Sequence, residues 1–125
     1  MLARYQIVRG KRAPDDPLPQ GHRMDTRKHT KHVLRPEAAM VEELFEDLSD
    51  AAFKRFAAAY RKLLEQRFHE ERERFDEIAE LARHEDVFLG CNCPSLKNPD
   101  VQRCHTVLAL EFFKHKYLKL RVVMP

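Results

Sequence analysis

The sequence predicts an α/β domain, a small and mainly parallel sheet of about three or four strands with helices packed on it. Three observations carry this. Short β-favouring runs stand at Tyr5–Val8, Val87–Cys91 and Leu120–Met124. Between them lie long stretches with apolar residues at helical spacing. Strands separated by helices return to the same sheet as parallel neighbours. At 125 residues the chain suits one domain, residues 1–125, with one core.

The first strand, Tyr5–Val8, ends at Gly10. Residues 10–35 form a basic, loop-rich segment. Three prolines and a glycine fall within Lys11–Gly21, and residues 22–35 show no clear period. Pro36 opens the first helix, as proline does in a first turn, with Val41, Leu44, Phe45 and Leu48 as its stripe. Ser49 is placed as an N-cap. The helix after it carries the clearest period in the chain: Phe53, Phe56, Ala57, Tyr60, Leu63 and Leu64. Phe75, Ile78, Ala79 and Ala82 resume a stripe beyond a polar stretch, and continuity through Arg67–Arg74 is left open. These aromatic stripes read as core faces, and residues 65–77 as a solvated surface with (i, i+4) ion pairs. Val87–Cys91 is a buried strand. Asp100 caps a helix expected from Val101 to about Lys116, apolar on more than one side and hence buried.

Hydrophobic residues make up 43% and charged residues 34%, a balance that excludes a disordered chain. No run approaches the roughly 18 apolar residues of a membrane span, and the first ten residues lack the apolar core of a secretory signal. The expected compartment is the cytoplasm, with no membrane partner. The three cysteines are an odd number and are expected as reduced thiols. Charge is segregated. Residues 1–35 hold nine Lys/Arg against three Asp, residues 36–86 eight against fifteen acids, and residues 87–125 six against two. Basic ends around an acidic middle suit an anionic partner or simple internal charge balance. One alternative is a non-catalytic interaction module whose basic N-terminal segment binds nucleic acid or an acidic protein, through Arg4, Arg9, Lys11, Arg12, Arg23, Arg27, Lys28 and Lys31, though no recognised module accompanies them. Three glycines exclude phosphate-cradling glycine loops, and no Ser-centred nucleophile elbow is present. No pattern specifies an oligomer.

The functional signal concentrates in Cys91–His105, a loop joining a strand end to a helix N-terminus. Ligands bind at such junctions in open α/β sheets. Free N–H groups and the helix dipole favour an anion there and acidify a thiol. Cys91, Cys104 and His105 are the catalytic candidates. Cys93, Lys97 and Arg103 are ligand-binding candidates, with Arg9, Lys11 and Arg23 lining the same end of the sheet. Three readings stay open at this level. One is a small, nucleotide-like anion bound over the thiols, with nucleophilic cysteine chemistry. Neighbouring helical residues point about 100° apart, so His105 is expected to serve Cys91 or Cys93 rather than Cys104. The second is a zinc site on Cys91, Cys93, Cys104 and His105, correct in donor type but not in the usual C-x₂₋₄-C spacing. No other cofactor is predicted. The third is a structural loop, with Cys104 sharing a face with Val101 and Leu108 as a small hydrophobe.

The segment Val87–Pro94 followed by Cys104–Ala109 resembles the C-terminal signature of the domain of unknown function 488 family: a hydrophobic strand ending in Cys, a polar loop, then Cys-His opening a helix. The helix with Phe56 and Tyr60, the opening Ile7–Arg12, the Pro/Asp loop and Gly21–Arg23 resemble its layout. The resemblance is specific over residues 87–110. It places the family's loop cysteine on Cys91 and its Cys-His pair on Cys104 and His105. Thr106 stands where the family usually has Arg. Met24–Lys31 replaces its Asp-Arg-Leu-Trp-Pro-Arg-Gly type segment, and the chain has no Trp. The resemblance implies an α/β fold and a site location, and no established activity.

Overall fold

The apolar run Val87–Cys91 forms the central strand of the sheet. The structure is a computed structural model and describes all 125 residues. Numbered along the chain, the strands are β1 (Leu2–Gln6), β2 (His22–Asp25) and β3 (Val87–Cys91), in the order β1-β3-β2. Both pairings are parallel, with Leu2 and His22 each opposite Val87. The sheet is therefore open and wholly parallel. Its central strand, flanked on both sides, is the one that reads as a continuous apolar run. Gly90 is required within it, because a Cβ there would lie 2.7 Å from the Tyr5 ring and 2.9 Å from Ile7.

β1 begins three residues before the expected Tyr5. Leu2 and Ala3 are buried by pairing with Val87 and Phe88. The ladder still reaches Ile7, whose N–H donates to the Cys91 carbonyl at 2.9 Å. β2 lies in the segment where the sequence shows no period. Gly21, at φ +136°, turns the chain into it, and the His22 N–H donates to the Asp86 carbonyl at 2.9 Å. Its backbone bonds to β3 make it a strand, since its first two side chains are exposed. The expected last strand is reduced to a bridge of Val122 to Leu2, framed by two hydrogen bonds of 2.9 and 2.8 Å.

Helices α1 (Ala38–Asp47), α2 (Asp50–Glu70) and α3 (Arg72–His84) connect β2 to β3. Ser49 caps α2, its hydroxyl accepting the Ala52 N–H at 3.0 Å. The polar stretch breaks at Glu71, so α2 and α3 are separate helices. Arg67 departs from the solvated surface expected there. It is buried, and donates to the Val33 and Arg35 carbonyls at 2.8 and 2.5 Å. Those carbonyls lie outside regular structure and need a donor once buried. The aromatic stripes meet in the core, where Phe75 stacks on Phe113 at 5.9 Å and Phe113 on Tyr117 at 5.4 Å. The last helix, α4 (His105–Lys116), is buried on nearly all sides, as its all-round apolarity predicts. It starts later than expected. Asp100 caps a single 3₁₀ turn, Val101–Arg103, and Cys104 then follows in extended conformation before the helix begins. No helix is long and apolar enough to cross a membrane.

Candidate functional site

The C-terminal ends of the three parallel strands, Gln6, Asp25 and Cys91, lie at one edge of the sheet. Cys91 ends β3, and the loop after it folds back on itself. Asn98 is buried at its centre, donating to Cys93 Sγ and the Arg103 carbonyl at 3.3 Å each. The 3₁₀ turn delivers Cys104 at φ −87°, ψ 143° as the N-cap of α4. The result is a cluster of three free thiols whose sulfurs all lie within 4.8 Å of one another. Cys91, Cys93 and Cys104 are 9%, 6% and 1% exposed.

The three thiols differ in acidity. The neighbouring Cys91 and Cys93 thiols hold Cys104 well below the ordinary thiol range, against its burial, with His105 adding to the effect. The same coupling pushes Cys93 up to about 11 and raises Cys91. The three thiols therefore titrate as a coupled unit, with Cys104 its acidic member. Thr106 supports this acidity, its hydroxyl donating to Cys104 Sγ at 3.1 Å. That hydroxyl in turn accepts from Arg4 Nε at 2.8 Å, while the same guanidinium donates to the Cys93 carbonyl at 2.6 Å. An arginine on β1 thus polarises a hydroxyl that faces the thiolate.

His105 is oriented from β2. The Thr26 hydroxyl donates its one proton to the Gly90 carbonyl at 2.9 Å, so at 2.9 Å from His105 Nε2 it accepts. The ring therefore carries a proton on Nε2, and its Nδ1 lies 3.9 Å from Cys104 Sγ. Tyr60 meets the ring edge-on at 5.7 Å. Three expectations are corrected here. Cys104 and His105 do face one another, because Cys104 is extended and the helical 100° spacing does not apply to it. The hydrogen bonds of His105 run to Cys104 and Thr26 rather than to Cys91 or Cys93. Cys104 also lies outside the helix that was to align it with Val101 and Leu108.

Over the cluster opens a cleft of about 730 Å³. One wall is apolar, from Val41, Leu44 and Phe45 of α1 with Phe56 of α2. Arg9, Arg27, Lys28, Lys97 and Arg103 supply the charge, and no Asp or Glu lines it. Of the expected ligand-binding residues, Cys93, Arg9, Lys97 and Arg103 line this cleft; Lys11 and Arg23 do not, and the Arg23 guanidinium donates to the Pro19 carbonyl. Of the other basic residues, Arg12 pairs with Asp16 and Arg27 with Asp25. A hollow of about 820 Å³ between α3 and the end of α4 is slightly larger. It is lined by charges of both signs and contains no thiol or imidazole. Sequence reasoning missed Thr26, Asn98 and Thr106, and took Arg4 only as a surface cation. None of these carried a sequence signal, since the strand that Thr26 follows shows no period of its own.

The fold and site together define an open parallel α/β layer with a buried cluster of three thiols beside an imidazole at its strand C-termini. Comparison with protein-family models, curated proteins and solved structures found no match to the chain.

Proposed function

We propose that this protein binds a soft divalent metal ion of the zinc class through Cys91, Cys93 and Cys104, with His105 Nδ1 as the fourth donor. The observation that supports the reading most is the convergence of three buried sulfurs within 4.8 Å. A tetrahedral ion with bonds of about 2.3 Å holds its sulfurs roughly 3.8 Å apart, close to the 4.0 Å between Cys91 and Cys93. Burial favours the same reading, since an ion reaches thiols of such low exposure more readily than an organic electrophile does. Three thiolates and a dication leave one net negative charge, which Arg4 offsets through Thr106 and the Cys93 carbonyl. The Thr26 bond to Nε2 is the outer contact that orients a metal-bound imidazole.

The test is metal content and affinity. Protein purified without chelator should hold one equivalent of zinc, bound at about 10 kcal/mol or more, a sub-micromolar affinity. Cobalt substitution should give sulfur-to-metal charge-transfer bands that weaken in C91S, C93S and C104S. Failure to bind zinc or cobalt stoichiometrically under reducing conditions overturns the reading. The acidity of Cys104 beside a proton-accepting Nδ1 favours a second reading, cysteine-dependent chemistry on a small anion. It is marked by a metal-free protein whose Cys104 is alkylated at neutral pH, and by loss of that labelling in H105Q.

A further inference from the structure

The cleft above the thiols has two unlike walls, and together they specify a ligand. Its volume, about 730 Å³, is that of a small-molecule pocket and too little for a nucleic-acid duplex. The α1 wall offers a continuous apolar surface, with Val41 and Phe45 partly exposed over the buried Leu44. The cleft also holds cations in two states. Arg27 and Arg103 are bound by Asp25 and Asp50. Arg9, Lys28 and Lys97 are exposed and form no ion pair.

Three uncompensated cations in a cleft without a carboxylate call for more than one negative charge. A carboxylate brings one. A phosphate monoester brings about 1.5 to 2, on three strong acceptor oxygens. The apolar wall calls for a body attached to that phosphate, since inorganic phosphate would leave Val41 and Phe45 facing water.

We infer that this cleft binds a small organic phosphate monoester, its apolar or aromatic body against α1 and its phosphate among Arg9, Lys28 and Lys97. The inference stands on the cleft walls and holds whether or not the thiols carry a metal. Charge-assisted bonds to phosphate are the strong ones, and removing them lowers affinity by about tenfold or more.

The experiment is calorimetric titration of the full chain with phenyl phosphate, inorganic phosphate and phenol, each against zinc-loaded and zinc-stripped protein. Phenyl phosphate is expected to bind at least about tenfold tighter than either fragment, in both metal states. K28E/K97E changes only exposed loop side chains, so the fold should survive. That variant should weaken phenyl phosphate at least about tenfold and leave zinc content unchanged. Phenyl phosphate no tighter than inorganic phosphate overturns the role of the apolar wall. Full affinity in K28E/K97E, or binding only to the zinc-loaded form, overturns the cation-built site. Loss of zinc binding with phenyl phosphate binding retained sinks the metal reading alone.

Discussion

Thr26→Val isolates the bond that orients His105. Thr26 is fully buried, and valine closely matches its shape, so the change removes a hydroxyl and little else. The Gly90 carbonyl keeps a partner, because it also accepts the Thr26 N–H at 3.1 Å. His105 Nε2–H loses its acceptor at 2.9 Å. A buried donor left unsatisfied costs about 1–3 kcal/mol. At roughly 2.1 cal/mol/K of unfolding entropy per residue, each kcal/mol lowers Tm by about 4 °C for a chain of this length. The expected loss in metal-free protein is therefore about 4–11 °C, read by thermal denaturation. A second effect falls on the site. Freed from Thr26, the ring can move its proton to Nδ1 and withdraw the lone pair from the thiols, so zinc affinity should drop about 10–100-fold in a competition assay. Thr26→Ser keeps the hydroxyl and should recover most of both. A T26V protein with Tm within about 1 °C of the parent and unchanged zinc affinity would refute the orienting role.

Other outcomes follow from the same geometry. Metal-free protein should show the ultraviolet absorbance of a thiolate at neutral pH, lost in C104S, since Cys104 is the acidic member of the cluster; persistence of the band in that variant would place the charge elsewhere. Burial lowers the His32 pKa from 6.5 to about 4, with Arg74 adding to the shift. Because the folded value lies below the unfolded one, the unfolded chain binds the proton first as pH falls. His32 therefore removes stability between about 6.5 and about 4 and is neutral in both states above that window. An NMR titration of its ring checks this, and a midpoint near 6.5 would contradict it. Tyr60→Phe deletes the hydroxyl donated to the Leu34 carbonyl at 2.6 Å while keeping the ring contacts to Phe56 and His105. It should cost about 1 kcal/mol or somewhat more in urea denaturation, and no change would mean that water replaces the bond.

Local rules account for what the sequence determined by itself. The Ser49 cap, the long stripe of α2, the buried run of β3 and the all-round apolarity of α4 each follow from residues within a turn or two of one another. The parallel α/β class follows from their order. The Cys91–His105 loop as the place of the candidate site was also legible, because a strand end meeting a helix N-terminus is a short-range pattern. The tertiary structure decided the rest. β2 has no period of its own and exists because β3 presents backbone partners to it. Cys91 and Cys104, thirteen positions apart, meet only because the loop closes around Asn98 and the Asp100 turn sets Cys104 extended. That conformation brings Cys104 to His105 against the helical expectation. Spacing argued against a metal centre, while convergence of the sulfurs in space favours one. Arg4 and Thr26 joined the site through sheet pairing, which sets residues far apart in the chain side by side at the strand ends.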